Sequence, residues 1–263
     1  NNTDMIDYSI LDAPEITNRM FYPESMWWPP ENTVEDHRIP VDSNVSISAR
    51  YYPSEPSFPA ILFFHGNGEI SCQYDMMSRY YTRAEAGLFV ADFRGYGLSS
   101  GTPSFSSMIS DSSAIFMYFE SYMATQELAG PLFVMGRSLG CHSAVAVAAT
   151  YQDRIAGLIT ESGSASIERS LQRLGLPENS PQVETLLDMH REKLKSISIP
   201  TLAIHGAMDS MVSIDAATEL LESIGSENKT FQVIPKAGHN DLLMLGGEQY
   251  TEALAKFIHE NSK

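Results

Sequence analysis

Short runs of apolar residues recur along the chain, and several of them end at a glycine. Such runs are typical of strands that are buried on both faces of a sheet. Two earlier segments, 34–41 and 45–52, alternate apolar and polar residues and predict half-exposed antiparallel strands. Buried strands are predicted at 60–66, 88–97, 131–136, 155–161, 200–206 and 230–235.

Segments with helical spacing separate these runs. Helices are predicted up to about Ala86 and over 104–123, 139–150, 214–223 and 248–260. Alternating strands and helices predict an α/β fold, with a mostly parallel eight-stranded sheet and helices on both faces. Ligands of such sheets bind at the carboxyl ends of the strands, so a candidate site residue should follow a strand.

The first 33 residues show no regular pattern and are predicted to be irregular. We expect this arm to pack over the body of the protein, and the alternative is a contact with a membrane or a partner. Since we find no internal repeat, low-complexity tract or flexible linker, one domain over 1–263 is predicted. The aromatic residues of the arm are Phe21, Tyr22, Trp27 and Trp28.

The composition narrows the class of protein. The chain has 33 acidic and 17 basic side chains among 263 residues, a net charge of −16, so we do not expect a nucleic-acid partner. No apolar run reaches the roughly 18 residues of a membrane span. Cys72 and Cys141 lack disulfide-framework or zinc-site spacing and favour a reduced, cytoplasmic setting. Because the chain begins with Asn1, an upstream signal or anchor is compatible with it.

Ser138 is the candidate nucleophile. The segment PLFVMGRSLGCHSAVAVAAT, residues 131–150, places it between an apolar strand and a helix rich in small residues. A Gly-x-Ser-x-Gly pattern alone is weak evidence, but the strand–turn–helix context is that of a nucleophile elbow. Gly136 and Gly140 would let strand and helix approach closely. The N–H of Leu139 would then point to where negative charge develops.

A serine hydroxyl needs a base that removes its proton, and His239 is the candidate. It follows the last predicted strand, in a loop that would reach the carboxyl edge of the sheet. We interpret His65 and His205, which each end a strand before a glycine, as structural, and we expect His142 to point away. The remaining three are interpreted as surface residues: His37, His190 and His259.

The base in turn needs a carboxylate that fixes its tautomer. Asp209 lies just past the penultimate predicted strand, and the order Ser, Asp, His is that of α/β hydrolases. The alternative is Glu161, at the end of the preceding strand. Asp241 is too near His239 in sequence and is expected to cap the last helix.

The second donor for a developing oxyanion should lie in the loop after an early buried strand. In FFHGNGE, Gly66 and Gly68 free the backbone, and the N–H of Asn67 is the candidate donor; a simple tight turn is the alternative. Cys141 is interpreted as a small buried residue, and Cys72 is a minor candidate for the pocket wall. No residues have metal-ligand spacing, and no cofactor is expected.

The motifs FFHGNG, DFRGYGLSSGTPS, GRSLG, IHGAMDSMV and AGHND occur in this order. With them, nearly the whole chain resembles the α/β-hydrolase superfamily. The branch concerned contains small bacterial serine hydrolases and eukaryotic hydrolases of lipid esters and protein-bound palmitate. The resemblance implies the nucleophile, acid and base at Ser138, Asp209 and His239, and oxyanion donors at Asn67 and Leu139.

The RGYG loop at 94–97 is a landmark of this superfamily, and we interpret it as structural. A short cap insertion is predicted at about 163–195, with SLQRLGLP as its most apolar part. A large lipase lid would need more chain, so deep enclosure of a long acyl chain is not expected.

The predicted function is cofactor-independent hydrolysis of small carboxylic esters or thioesters by a serine hydrolase. One alternative is an aminopeptidase on the same fold, which would need an acidic anchor for the substrate amine, such as Glu168 or Glu178. The other alternative is a binding module that has kept the fold without the chemistry.

Overall fold

The strands form one eight-stranded sheet in the computed structural model, which describes residues 6–173 and 180–262. They are β1 Glu35–Asp42, β2 Val45–Tyr52, β3 Ala60–Phe64, β4 Gly87–Ala91, β5 Leu132–Arg137, β6 Gly157–Glu161, β7 Thr201–Gly206 and β8 Lys229–Ile234. Their spatial order is β1-β2-β4-β3-β5-β6-β7-β8. The pairs β1–β2 and β2–β4 are antiparallel, and the other neighbours are parallel. The predicted α/β-hydrolase fold, with a mostly parallel eight-stranded sheet, is confirmed.

Helices cover both faces of the sheet. They are α1 Pro14–Met20, α2 Ser78–Thr82, α3 Phe105–Thr125, α4 Cys141–Tyr151, α5 Ile167–Arg173, α6 Pro181–Ser196, α7 Ile214–Ser223 and α8 Leu242–Asn261. Helices α3, α4 and α7 contribute buried side chains to the core on one face, and α2 and α8 to the core on the other.

Strand β3 shows why its sequence is a continuous apolar run. Leu62 packs in one core with Phe119 of α3, while the next residue, Phe63, packs in the other core with Tyr81. Because side chains alternate across a strand, a strand that is covered on both faces needs apolar residues at every position.

The antiparallel edge differs from the sequence prediction, because β2 is mostly buried rather than half exposed. Tyr51 lies 5.7 Å from the ring of Phe119. Arg50 is fully buried, and its guanidinium is paired with Asp36 and Asp75. Arg50, the charged residue of this strand, thus lies inside the protein with its charge neutralised. An alternation of apolar and polar residues in the sequence does not reveal this.

Two predicted boundaries are wrong. The strand predicted at 88–97 ends at Ala91, because the chain turns where Gly95 and Gly97 take φ of 77° and 56°. The last helix begins at Leu242 rather than at 248, and it contains a kink at Gly246 with φ −145°.

The N-terminal arm packs over the body of the protein, as expected, and also contacts α5 and α6, but it is not wholly irregular. It contains helix α1 and a 3-10 turn, Ser9–Leu11. The buried side chains of the arm share one apolar cluster with those of α5 and α6. The arm contributes Tyr8, Leu11 and Phe21, and the two helices contribute Ile167, Leu171, Val183 and Leu186. Helices α5 and α6, which lie between β6 and β7 in the segment predicted as a cap, are therefore joined to the arm by an apolar core. Part of SLQRLGLP lies outside the described residues.

None of the helices in the described ranges combines the length and the apolar character that a membrane crossing requires.

Candidate active site

Ser138 lies on a sharp turn between β5 and α4. Its φ is 50°, in the left-handed region that non-glycine residues seldom occupy. The turn needs glycine on both sides, because a Cβ on Gly140 would lie 2.1 Å from the carbonyl oxygen of Phe64 and one on Gly136 would lie 2.4 Å from that of Gly140. The backbone thus holds the serine in a strained conformation at the carboxyl edge of the sheet.

His239 follows β8 and lies between Ser138 and Asp209. Its Nε2 is 3.1 Å from Ser138 Oγ, and its Nδ1 is 2.7 Å from Asp209 Oδ2. With the proton on Nδ1, the ring donates to the carboxylate and accepts from the hydroxyl, so the three side chains form one hydrogen-bonded chain.

Asp209 is buried just past β7. Its Oδ1 accepts the N–H groups of Met211 and Val212 at 2.9 and 2.8 Å, which leaves Oδ2 for His239. Burial raises the pKa of Asp209, but the hydrogen bonds from His239 and the two backbone N–H groups outweigh burial and hold this pKa below 3.8. The carboxylate is therefore ionised at neutral pH.

The other two carboxylates that the sequence offered near the base bond elsewhere. Glu161 accepts from Arg137 Nε at 3.1 Å and from the Tyr250 hydroxyl at 2.6 Å. Asp241 occupies the N-cap position of α8, but its carboxylate accepts the N–H of Gly238 at 2.6 Å, and no side-chain capping bond is made there. Asp241 therefore lies at the cap position expected for it, while its carboxylate closes the turn around His239 rather than bonding a helix N–H.

The turn at 66–68 follows β3 beside the elbow. The side chain of Asn67 accepts the hydroxyl of Tyr96 at 2.6 Å and the N–H of Tyr22 at 2.9 Å, and it donates to the carbonyl of Met20 at 2.6 Å. Both the N-terminal arm and the RGYG loop therefore hold this turn. Within the described residues, the backbone N–H of Asn67 has no hydrogen-bond acceptor.

His65 fixes the plane of the peptide unit that contains this N–H. Its Nδ1 lies 2.7 Å from the carbonyl oxygen of Gly66, and its Nε2 lies 3.0 Å from Asp92. In a trans peptide the carbonyl of Gly66 and the N–H of Asn67 point in opposite directions. His65, which the sequence suggested was structural, thus contacts the carbonyl side of the peptide unit whose opposite side carries the N–H of Asn67.

Two histidines predicted at the surface have buried side chains. His190 lies on the inward face of α6, where its Nε2 is 2.8 Å from the carbonyl oxygen of Ala165. The His37 side chain packs 5.1 Å from the ring of Phe89. His259 is exposed, as predicted. His142 is buried, with its ring 4.9 Å from that of Phe105.

The two cysteines are buried thiols. Burial raises the pKa of Cys141 to about 12, and its Sγ lies 3.1 Å from the carbonyl oxygen of Gly136. Burial also raises the pKa of Cys72. Neither thiol has the lowered pKa that a nucleophilic cysteine needs.

Sequence reasoning missed Arg137, the residue directly before Ser138. Its guanidinium lies beneath the site and contacts Glu69, Glu161 and the His239 loop. The available signal was a charged residue within an otherwise apolar strand end, at the variable position of the Gly-x-Ser-x-Gly pattern.

The family assignment comes from a comparison with protein-family models. The model described as serine aminopeptidase, S33, matches residues 55–187 and 181–243, which is more than half of the chain. The chain belongs to this family of α/β hydrolases. The predicted superfamily is thereby confirmed, and hydrolase is the class of activity that it supports.

Relatives of this hydrolase occur in fungi and animals. It is 27% identical to protein bem46 of Schizosaccharomyces pombe over 248 residues, which are 90% of this chain and 81% of that protein. It is also 27% identical to human alpha/beta hydrolase domain-containing protein 17B over 204 residues, 76% of this chain and 66% of that protein.

Solved structures of esterases share the fold of this hydrolase. An esterase of Pyrococcus furiosus superposes with a TM-score of 0.72 at 17% identity, covering 92% of this chain and 99% of that one. Est1E of Butyrivibrio proteoclasticus, with ferulic acid bound, gives a TM-score of 0.69 at 20% identity, with coverage of 86% and 98%.

Proposed function

We propose that this hydrolase cleaves carboxylic esters or thioesters through an acyl-enzyme on Ser138. The observation that carries the proposal is the continuous hydrogen-bond chain from Ser138 Oγ through His239 to Asp209 Oδ2, at 3.1 and 2.7 Å. This series of hydrogen bonds ends at a serine on a strained turn, which is the arrangement that activates a serine for acyl transfer.

In the first half of the reaction, Ser138 Oγ attacks the acyl carbonyl while His239 Nε2 takes its proton. Asp209 keeps the other ring proton on Nδ1 and stabilises the imidazolium that forms. The N–H groups of Asn67 and Leu139 stabilise the negative oxygen of the tetrahedral intermediate. Collapse of the intermediate expels the alcohol or thiol, which receives the proton from His239.

In the second half, His239 removes a proton from water, and the hydroxide attacks the acyl-enzyme carbonyl. The same two N–H groups stabilise the second oxyanion. The carboxylic acid then leaves, and Ser138 regains its proton from His239, so the cycle consumes one ester or thioester and one water and restores every side chain.

The surface around the acid and base loops favours an apolar acyl group. Met208 and Met211 flank Asp209 and are 69% and 60% exposed, while Met244 and Leu245 follow His239 and are 77% and 49% exposed. The two loops are adjacent, since the N–H of Met208 donates to the carbonyl of Ala237 at 2.9 Å. Flexible thioethers at this rim suit acyl chains of varied shape.

Aminopeptidase activity is the second candidate, because the family model carries that description. It needs an acidic anchor for the substrate amine. Glu168 is exposed and already paired with Arg191, and Glu178 lies outside the described residues. The described part of the chain thus favours esters over peptides.

A fluorophosphonate probe tests the nucleophile. The wild-type protein should be labelled on Ser138, and Ser138→Ala should lose labelling and lower kcat for ester hydrolysis by about 10⁶-fold, the loss seen when subtilisin loses its nucleophile. Ser143→Ala is the matched control, because Ser143 is a buried serine of the adjoining helix α4 and should leave both readouts unchanged.

Ester hydrolysis by Ser138→Ala at the wild-type rate would overturn the assignment. A folded wild-type protein that takes no probe would instead favour the binding module. A panel that compares acyl esters and thioesters of increasing chain length with aminoacyl anilides separates the two enzymatic candidates, and faster anilide cleavage would favour the aminopeptidase.

A further inference from the structure

Arg137 is the last residue of β5, and its side chain lies beneath the site. The residue is only 9% exposed. A Cβ added to Gly66 would lie 2.6 Å from its Nη1, so the guanidinium packs directly against the turn at 66–68. Burying a guanidinium is costly unless its N–H groups and charge are satisfied, which makes its partners informative.

One end of the guanidinium holds the loop that carries the base. Arg137 Nη2 donates to the carbonyl oxygen of His239 and to Oδ1 of Asn240, both at 2.8 Å. The bond to the carbonyl fixes the backbone of His239 itself. The loop that carries His239 is thereby held by Arg137, the residue directly before Ser138.

A second contact holds the oxyanion turn. Arg137 Nη1 donates to Oε1 of Glu69. The other oxygen of Glu69 accepts the N–H of Gly66 at 2.9 Å and the hydroxyl of Tyr74 at 2.8 Å. Glu69 therefore links the guanidinium to the first residue of the turn that presents the N–H of Asn67.

The third contact anchors the guanidinium in the sheet. Arg137 Nε donates to Oε1 of Glu161 at 3.1 Å, and Oε2 of Glu161 accepts the hydroxyl of Tyr250 at 2.6 Å. The hydroxyls of Tyr250 and Tyr81 are 2.9 Å apart. Glu161, the alternative acid in the sequence, thus serves as a fixed acceptor at the end of β6.

These contacts favour a structural role of Arg137 over a direct contact with substrate. A guanidinium has five N–H groups, and four of them are used by acceptors within the protein. Burial works against the charge of Arg137, but Glu69 and Glu161 outweigh it and raise its pKa, so the side chain stays protonated.

We propose that Arg137 is a positioning residue that holds the His239 backbone and the 66–68 turn in register around Ser138. The planar guanidinium meets acceptors from two loops and the end of one strand at once, which a point charge on a flexible stem cannot do. This role rests on the proposed function, since it concerns the geometry of the same acyl transfer.

The test compares three variants with wild type and Ser138→Ala. We expect Arg137→Ala to lower kcat and the fluorophosphonate labelling rate by about 100-fold, the cost of a displacement on the order of 1 Å at a reacting group. KM should stay near its wild-type value, because Arg137 does not touch substrate. The kcat and the labelling rate of Arg137→Lys should lie between those of wild type and those of Arg137→Ala. Guanidinium ion in the buffer should partly restore both quantities in Arg137→Ala.

Arg154→Ala is the control. Arg154 donates to both oxygens of Glu120, so this variant also loses an arginine–carboxylate pair, but one that joins α3 to the segment after α4 and contacts none of the candidate site residues. It should label at the wild-type rate. The low-field proton resonance of the bond between His239 and Asp209 should shift in Arg137→Ala and stay in place in Arg154→Ala.

Labelling of wild type but not of Ser138→Ala establishes the nucleophile independently of Arg137. With the nucleophile established, wild-type labelling by Arg137→Ala, or equal losses in Arg137→Ala and Arg154→Ala, overturns the positioning role alone. If Arg137→Ala does not fold, Arg137→Lys decides, because labelling at the wild-type rate with a lysine in place overturns the role of the guanidinium.

Discussion

At the residue level, Asp209 shows how backbone contacts assign a role to a side chain. Two backbone N–H groups occupy Oδ1 and leave Oδ2 facing His239. The same contacts lower the pKa of the carboxyl, so Asp209 stays ionised when the pH becomes mildly acidic. A negative oxygen is thus held against one ring nitrogen of His239, which selects the tautomer with its proton on Nδ1.

We expect Asp209→Asn to lower kcat for ester hydrolysis by about 10⁴-fold, as the equivalent change does in a serine protease triad. An amide N–H turned toward the ring would favour the tautomer that cannot take the serine proton. Asp111→Asn is the control, since Asp111 is a buried carboxylate paired with Arg94 outside the site. Steady-state kinetics decide, and equal losses in both variants would contradict the role of Asp209.

The sequence indicated the candidate triad because each of its members follows a strand within a few residues. The end of a strand can be recognised in the sequence where an apolar run ends. The sequence did not locate Glu69 as a partner of Arg137, because that contact depends on side chains from two different strand ends. Nor did it show that the arm reaches Asn67, since nothing local marks a contact between residues this far apart in the chain.

Among the elements, the junction of β5 and α4 leaves very little space for a larger residue. The helix begins so close to β3 that the backbone at Gly140 touches the strand. The strands were predictable because burial on both faces makes their sequences continuously apolar. In α6 the inward stripe Val183, Leu186, Leu187, His190 and Leu194 has helical spacing, and reading His190 with that stripe would have identified it as buried.

Gly140→Ala should destabilise the protein by about 1–3 kcal/mol, the usual cost of overpacking. Its new Cβ would lie 2.1 Å from a carbonyl oxygen of β3, so strand and helix must separate. Gly238→Ala is the matched control, because its nearest neighbours would lie 3.6 Å away. Urea unfolding measures both, and an unchanged midpoint for Gly140→Ala would contradict the close approach.

Across the whole molecule, the arm, the cap and the elbow helix meet in a cluster that holds two neutral histidines. Burial lowers the pKa of His142 to about 3 and of His190 to about 4. The nearby Lys193, whose pKa burial lowers to about 8, also opposes protonation of both rings. Tyr8 of the arm lies 3.3 Å from His190, so this cluster connects the N-terminal segment to the cap.

Acid should weaken the fold through these histidines. Below their ordinary pKa of 6.5, the unfolded chain binds protons that the folded chain does not, until the pH reaches about 4 for His190 and about 3 for His142. As the pH is lowered through this window, the free energy of unfolding should therefore decrease, by up to about 1.4 kcal/mol per pH unit for each imidazole.

His190→Gln should reduce this slope, and His259→Gln should leave it unchanged, because His259 is exposed on α8. Urea unfolding at several pH values between 6.5 and 4 gives the slopes. Curves for His190→Gln that run parallel to those of wild type would show that this histidine does not carry the acid sensitivity.

The hydrogen bonds that join Met20 and Tyr22 to the side chain of Asn67 also bear on the design of N-terminally truncated recombinant protein. A recombinant fragment that starts after Tyr22 would keep every strand and each member of the triad. It would nevertheless leave the amide beside the oxyanion turn with one partner, Tyr96, in place of three. A shortened product of this kind would be a poor substitute for the full chain in any survey of substrates.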